Sequence, residues 1–211
     1  MRISEIMQTV ADAIENPLGR DEYIDGKFQI FANTPTVYKI HELELHKCLD
    51  VDELSYGLVD PVKNILAAIL MLIKVDNSWQ VLLTQVQEPY KAQGYGSFMY
   101  DYAVMNDGLT LLSDVTQTSD KNGNNGSNGL WEKLYRQGRF TVCGYNLETN
   151  EVISLKDSSE IASKIYTQKS DVVWMATPKP LKESINEMLD RFNTRNKHRT
   201  IEWYGPNITG G

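Results

Sequence analysis

Lys91–Tyr100 reads KAQGYGSFMY. A basic residue and two closely spaced glycines, Gly94 and Gly96, stand between an alternating apolar run and a run with helical spacing. Glycine lets the backbone turn where a side chain would clash, and lets a ligand approach the amides closely. A glycine turn that opens a helix is a natural anion site, because the first amide hydrogens have no partner within the helix. The other reading is a plain turn that only connects a strand to a helix. The flanking sequence has to be read to weigh them.

Upstream, Ile65–Val75 (ILAAILMLIKV) is apolar with branched residues near its end, Asp76–Ser78 supplies turn chemistry, and Trp79–Gln87 (WQVLLTQVQ) resumes the apolar pattern until Pro89. This predicts a tight hairpin. Downstream, Phe98, Tyr102 and Met105 predict a helix over 97–106, ended by Asp107 and Gly108. Leu109–Val115 (LTLLSDV) follows as a short buried strand, and 117–129 is a polar, glycine-rich loop. Leu130–Gly138 (LWEKLYRQG) predicts a helix closing at its glycine. Arg139–Leu155 is a hairpin turning near Glu148–Asn150, Asp171–Ala176 a strand, and Lys182–Lys197 a last helix before an aromatic tail.

Nearer the start, residues 28–46 read as two strands broken by a turn at Asn33–Pro35, with VYKIHELEL alternating as a half-buried strand. A short helical stretch over Val51–Leu58 is stopped by Pro61. There is no internal repeat and no evident linker. The expectation is one mixed α/β (α+β) domain over 1–211, with a helical N-terminal extension (about 1–27) and a C-terminal strand, helix and tail (about 160–211).

Composition narrows the function classes. With 211 residues, 41% hydrophobic and 23% charged, the chain has the make-up of a soluble globular protein with a substantial core. A formal net charge of -7 argues against broad nucleic-acid binding and suits a cationic or amine-bearing partner. Cys48 and Cys143 lack CxxC spacing and read as buried thiols of a reducing compartment. The N-terminal run carries acids within its apolar pattern and reads as an amphipathic helix ended near Pro17, not a signal peptide. Ile65–Val75 is too short to span a bilayer as a helix. A cytoplasmic, soluble protein is expected, of undetermined oligomeric state.

Several motifs can be set aside. No Lys-Ser or Lys-Thr follows the glycines, so there is no P-loop. Gly94, Gly96 and Asp114 resemble part of a dinucleotide fingerprint, but Met99 occupies the third glycine position and the preceding element is a hairpin. His41 and His46, five apart, would face opposite sides of one continuous strand and make poor partners for a metal, so no metal is expected. His198 lies in a local basic run, which reads as a solvated helix end more readily than as a phosphate contact.

KAQGYG resembles the Arg/Gln-x-x-Gly-x-Gly/Ala loop of the GNAT superfamily, the acyl-CoA N-acyltransferases. SNGLWEKLYRQGRF is similar to that family's stretch with a spaced Asn, Leu-Tyr and Gly-Phe, and puts Asn128 and Tyr135 on family positions. The order of elements also fits over Ile65–Phe140. The resemblance implies a GNAT-like fold, a mixed twisted sheet flanked by helices, and acetyl-CoA as co-substrate. Its pyrophosphate would be held by Lys91 and the loop Gln93, Gly94, Tyr95, Gly96 and Ser97, where converging amides and positive charge suit it. Strand Val81–Val86 would carry the peptide-like pantetheine arm on its open edge.

The implied reaction is N-acetyl transfer to an amine of unknown identity, by direct attack. Tyr135 is then the general acid for the departing thiolate, or else only packs with Leu130, Trp131 and Leu134. Asn128 bonds to the pantetheine arm or a water, or is the helix N-cap. Gln80 stands where some members carry a glutamate base, and it cannot take a proton; Glu88 and Asp76 are nearby in sequence. The alternative reading is an inactive GNAT-like scaffold serving as an interaction or structural protein. Gln80, the departure of Lys91 from Arg or Gln, and the long extensions motivate it.

Overall fold

The computed structural model describes residues 26–113, 126–157 and 171–179, the side chains of 126–128 excepted. The N-terminal run, Asp114, the final helix, His198 and the aromatic tail lie outside the described residues. Among the described residues nine strands form one mixed sheet: β1 (Thr36–Ile40), β2 (Leu43–Leu49), β3 (Glu53–Asp60), β4 (Ile65–Val75), β5 (Ser78–Val86), β6 (Leu111–Leu112), β7 (Thr141–Asn146), β8 (Val152–Ile153) and β9 (Val172–Thr177). Their hydrogen-bonded order is β1-β2-β3-β4-β5-β6-β9-β7-β8. Helix α1 covers 26–32, α2 is Tyr95–Asp101 and runs into a π-helical turn at Tyr102–Asn106, and α3 is Gly126–Gln137. The mixed α+β class expected from the sequence is what the chain adopts.

The chain divides into two compact units. Among the described residues the first holds 26–71 and 82–96, the second 72–81, 97–113, 126–157 and 171–179.

In the first unit, β1, β2 and β3 form an antiparallel meander. Its core joins Phe31, Val59, Leu66, Ile69, Met71 and Leu83. Residues 28–32 are helical, not the strand expected, and Phe31 shows why. Its ring lies over Gly57 of β3, where an added Cβ would fall 2.5 Å from it. A bare patch of strand receives the ring, and Phe31 is fully buried. The chain turns at Asn33–Thr34, within the stretch expected, but between α1 and β1; a second turn, not expected, lies at His41–Glu42, where Ile40 pairs with Leu43 and His41 adopts φ 56°. His41 and His46 are therefore on different elements, one in a turn and one buried on β2. The helical stretch expected over Val51–Leu58 is replaced by β3. Leu54, Tyr56 and Leu58 alternate with Ser55 and Gly57, a strand pattern, and Leu54 to Asp60 are all buried.

The hairpin read from Ile65 to Gln87 is present as β4 and β5, and Asp76 (φ 49°) sits between the two strands. The near-continuous apolar run of β4 matches its burial from Leu66 to Ile73, as suits a strand covered on both faces.

In the second unit, β6 lies parallel to the start of β5, with Trp79 opposite Leu111 and Gln80 opposite Leu112. On its other side β9 runs antiparallel and leads to β7 and β8. Phe98, Met99, Tyr100, Tyr102, Trp131 and Leu134 are buried, and the Tyr100 and Trp131 rings meet edge to face at 5.5 Å. Asp101 of α2 forms a buried ion pair with Arg139, the residue after Gly138 closes α3. Gly138 has the positive φ (63°) that ends a helix in the left-handed region. Cys48 and Cys143 are free thiols.

Candidate functional site

The glycine turn follows β5 directly. Gln87 extends the β4–β5 pairing by one bond, from its amide to the Ala67 carbonyl at 2.9 Å. The chain then folds back as the Tyr90 amide donates to the Gln87 carbonyl at 2.8 Å. Ala92 (φ 59°) and Gly94 (φ 90°) reverse its direction, and α2 begins at Tyr95. The Gln93 side-chain amide donates to the Pro89 carbonyl at 2.8 Å, a brace across the turn. Lys91 is exposed and pairs with Glu88 at 3.1 Å. Exposed pairs of this kind hold their partners weakly.

The two glycines differ in what they are needed for. Gly94 occupies a backbone region that disfavours side chains. Gly96 is helical, and a Cβ there would meet only Val86 Cγ2, at an ordinary 3.6 Å. Neither backbone nor packing requires glycine at 96.

Tyr90 anchors the turn. It is 3% exposed, and its hydroxyl donates to Asp60 Oδ2 at 2.5 Å. Asp60, at the end of β3, also accepts the amides of Val62 (3.0 Å) and Lys63 (2.9 Å) on Oδ1. Lys63 Nζ lies 3.1 Å from Asp60 Oδ2, donates to the Tyr90 hydroxyl at 2.9 Å, and sits 5.0 Å above the Tyr90 ring. Burial pushes the Asp60 carboxyl up, but its bonds from Tyr90 and Lys63 outweigh that and hold it below the ordinary value. Burial and the Asp60 bond raise Tyr90, which stays a neutral donor. Bonds to Tyr90 and Asp60 raise Lys63 in turn. Sequence reading missed this trio; Asp60 before Pro61 is a turn signal, but nothing in it points to Tyr90.

Of the residues expected to form a site, Val86, Lys91, Gln93, Gly94, Tyr95 and Gly96 fall in the first unit; Ser97, Asn128 and Tyr135 fall in the second. Ser97 is buried in α2. Asn128 lies within the first turn of α3, which begins at Gly126, so it does not precede the helix as an N-cap would. Of the loop expected over 117–129, residues 126–129 are helical and the rest lie outside the described residues. Tyr135, half-buried on α3, donates to the Leu155 carbonyl at a long 3.4 Å. Gln80 is buried, and its amide nitrogen faces the Ser113 carbonyl at 3.4 Å. Glu88 and Asp76 are exposed. Burial raises the Cys143 thiol and keeps it protonated, which disfavours it as a nucleophile.

No described group of three or more His, Cys, Asp or Glu residues is placed to hold a metal, and no described helix is long and apolar enough to cross a membrane. No protein-family model matches the sequence, and no curated protein is similar to it in sequence. Among solved structures the chain is similar to one from Bacteroides thetaiotaomicron, described as an acetyltransferase of the GNAT family. The identity is 10%, over 68% of this chain and 72% of that one, with a TM-score of 0.33.

Proposed function

We propose that this chain is an acetyl-CoA-dependent N-acetyltransferase of the GNAT type, a single functional domain acting on an amine by direct attack. The observation that carries the reading is the glycine turn between β5 and α2, with Gly94 at φ 90° and Gly96 bare where neither backbone nor packing asks for glycine. A bare position in the first turn of a helix suits the close approach of a phosphate.

Gly94, Tyr95, Gly96 and Ser97 would present amides to the pyrophosphate, with Gln93 bracing the turn. Lys91 would exchange its weak surface partner for phosphate. Val86 and the strand before it would bind the pantetheine arm, since β5 runs on well past the two-residue β6. Acetyl-CoA brings the activated acyl group. Tyr135 would donate a proton to the departing thiolate, and Asn128 would bond to the pantetheine arm. The amine loses its proton to solvent, since Gln80 offers no carboxylate. The protein would work in the cytoplasm, in no association with a membrane.

Calorimetric titration with acetyl-CoA tests this, followed by thiol release against a panel of amines. Saturable binding is expected. No binding at millimolar ligand would overturn the reading in favour of a scaffold.

A further inference from the structure

We propose that Asp60, Lys63 and Tyr90 are positioning residues that hold the glycine turn in its ligand-ready shape, an inference that rests on the acetyl-CoA reading. Tyr90 stands four residues before Gly94. Its hydroxyl is tied to a carboxylate thirty positions earlier in the chain. Its ring meets that of Tyr95, the first residue of α2, at 6.3 Å and 66°. Both rings are buried, at 3% and 4% exposure. The segment that turns from β5 into α2 is thus pinned on each side of its centre. Between the pins, Lys91 and Ala92 face solvent and Gly94 carries the positive φ.

The arrangement exceeds what folding of the β3–β4 turn needs. Asp60 already accepts two backbone amides of its own turn and lies beside Lys63. Those contacts would satisfy a buried carboxylate locally. The bond from Tyr90 adds a link whose other end is the glycine turn, and Lys63 reinforces it by donating to the same hydroxyl and covering the ring. Amides that are ordered before a ligand arrives cost less to order on binding. The trio supplies that order without touching the ligand itself.

Tyr90→Phe keeps the ring and its contact with Tyr95 while removing the hydroxyl. Two measurements on the full chain decide the matter: amide hydrogen exchange without ligand, and calorimetric titration with CoA. Exchange at residues 93–97 should quicken about 3- to 10-fold, the effect of one net hydrogen bond lost, while β4 amides keep their protection. CoA affinity should fall by a similar factor, and Lys63→Met should show a smaller change in the same direction. Unchanged exchange at 93–97 overturns the proposal whether or not CoA binds. Exchange that quickens equally throughout β3, β4 and β5 also overturns it, since the trio would then serve stability alone. If the wild-type protein binds no CoA, the acetyl-CoA reading falls and the ligand-ready role with it.

Discussion

Replacing Gly96 by alanine should make the protein more stable and worse at binding acetyl-CoA. The position lies in the first turn of α2 with helical backbone. Glycine in a helix costs roughly 0.5–1 kcal/mol relative to alanine, through the freedom it loses on folding. The new methyl would find Val86 Cγ2 at 3.6 Å, an ordinary contact, so no clash offsets the gain. A net stabilisation of about 0.4–1 kcal/mol follows, a rise of about 1–4 °C in melting temperature for a chain of this size. Binding should move the other way. If a phosphate oxygen approaches the amides here, a methyl displaces it and weakens a charge-assisted hydrogen bond worth about 1.5–3 kcal/mol, a loss of tenfold or more. Gly94→Ala is the control: at φ 90° it should cost about 1–2 kcal/mol of stability. Differential scanning calorimetry and titration calorimetry on both variants check the pattern. A Gly96→Ala protein that binds acetyl-CoA like the wild type would refute the role of the bare position. One that melts lower would refute the packing argument.

Further expectations concern both units. Tyr135→Phe should lower turnover about 10²–10⁴-fold if the hydroxyl is the general acid, and change the melting temperature little, because its bond to Leu155 is long at 3.4 Å; unchanged turnover would remove it from the mechanism. Asp101→Asn removes the carboxylate that faces the buried Arg139 guanidinium and should cost about 1.5–3 kcal/mol in a denaturant titration, the range for a hydrogen bond to a charged group; no measurable loss would contradict the importance of that pair. Gly57→Ala forces a methyl against the buried Phe31 ring and should destabilise by about 1–3 kcal/mol. Asp60 sets a pH dependence. Its folded pKa lies below the ordinary 3.8, so its contribution is fully present above that value and is lost as pH falls through the folded pKa. The stability gap between wild type and Asp60→Asn should therefore shrink on acidification, and a gap that widens would contradict the assigned direction.

How much of this was legible depended on whether a local pattern matched the surroundings that packing created. The β4–β5 hairpin could be read because a buried strand must be apolar throughout, and Asp76 and Asn77 mark its turn. Helix α3 could be read from its apolar spacing and its closing glycine. The first unit resisted. FQIF fits period two as well as a helical turn, and only Phe31 seated over Gly57 decides between them. The turn at His41 has no glycine or asparagine to announce its positive φ. β3 carries an apolar alternation at Leu54, Tyr56 and Leu58, but it is short, and the buried Asp60 at its end reads from sequence as a surface turn residue. The glycine turn was legible as a candidate site. Its anchor was not, because the link from Asp60 to Tyr90 exists only once β3 and the segment after β5 lie side by side.

Gln80 shows why the missing carboxylate need not count against acyl transfer. Its side chain is buried where β5 and β6 begin to pair, and its amide nitrogen faces the Ser113 carbonyl at 3.4 Å. Ser113 is itself fixed there: its amide donates to the Trp174 carbonyl at 2.8 Å, and its hydroxyl accepts the Trp174 amide at 3.0 Å. A carboxylate in place of Gln80 would set a negative charge against a carbonyl dipole away from water, and could persist only by taking up a proton. The surroundings therefore suit a neutral side chain at this position better than a charged one. Acyl transfer retains the requirement for a neutral amine, which an acceptor can meet by losing its proton to solvent before attack. If the chain is the acyltransferase proposed above, the pH at which it becomes active should follow the acceptor's own basicity. In that reading weakly basic amines should be acetylated near neutral pH and strongly basic ones only at higher pH, and thiol release measured against pH for one amine of each kind checks it; identical pH profiles would refute the reasoning.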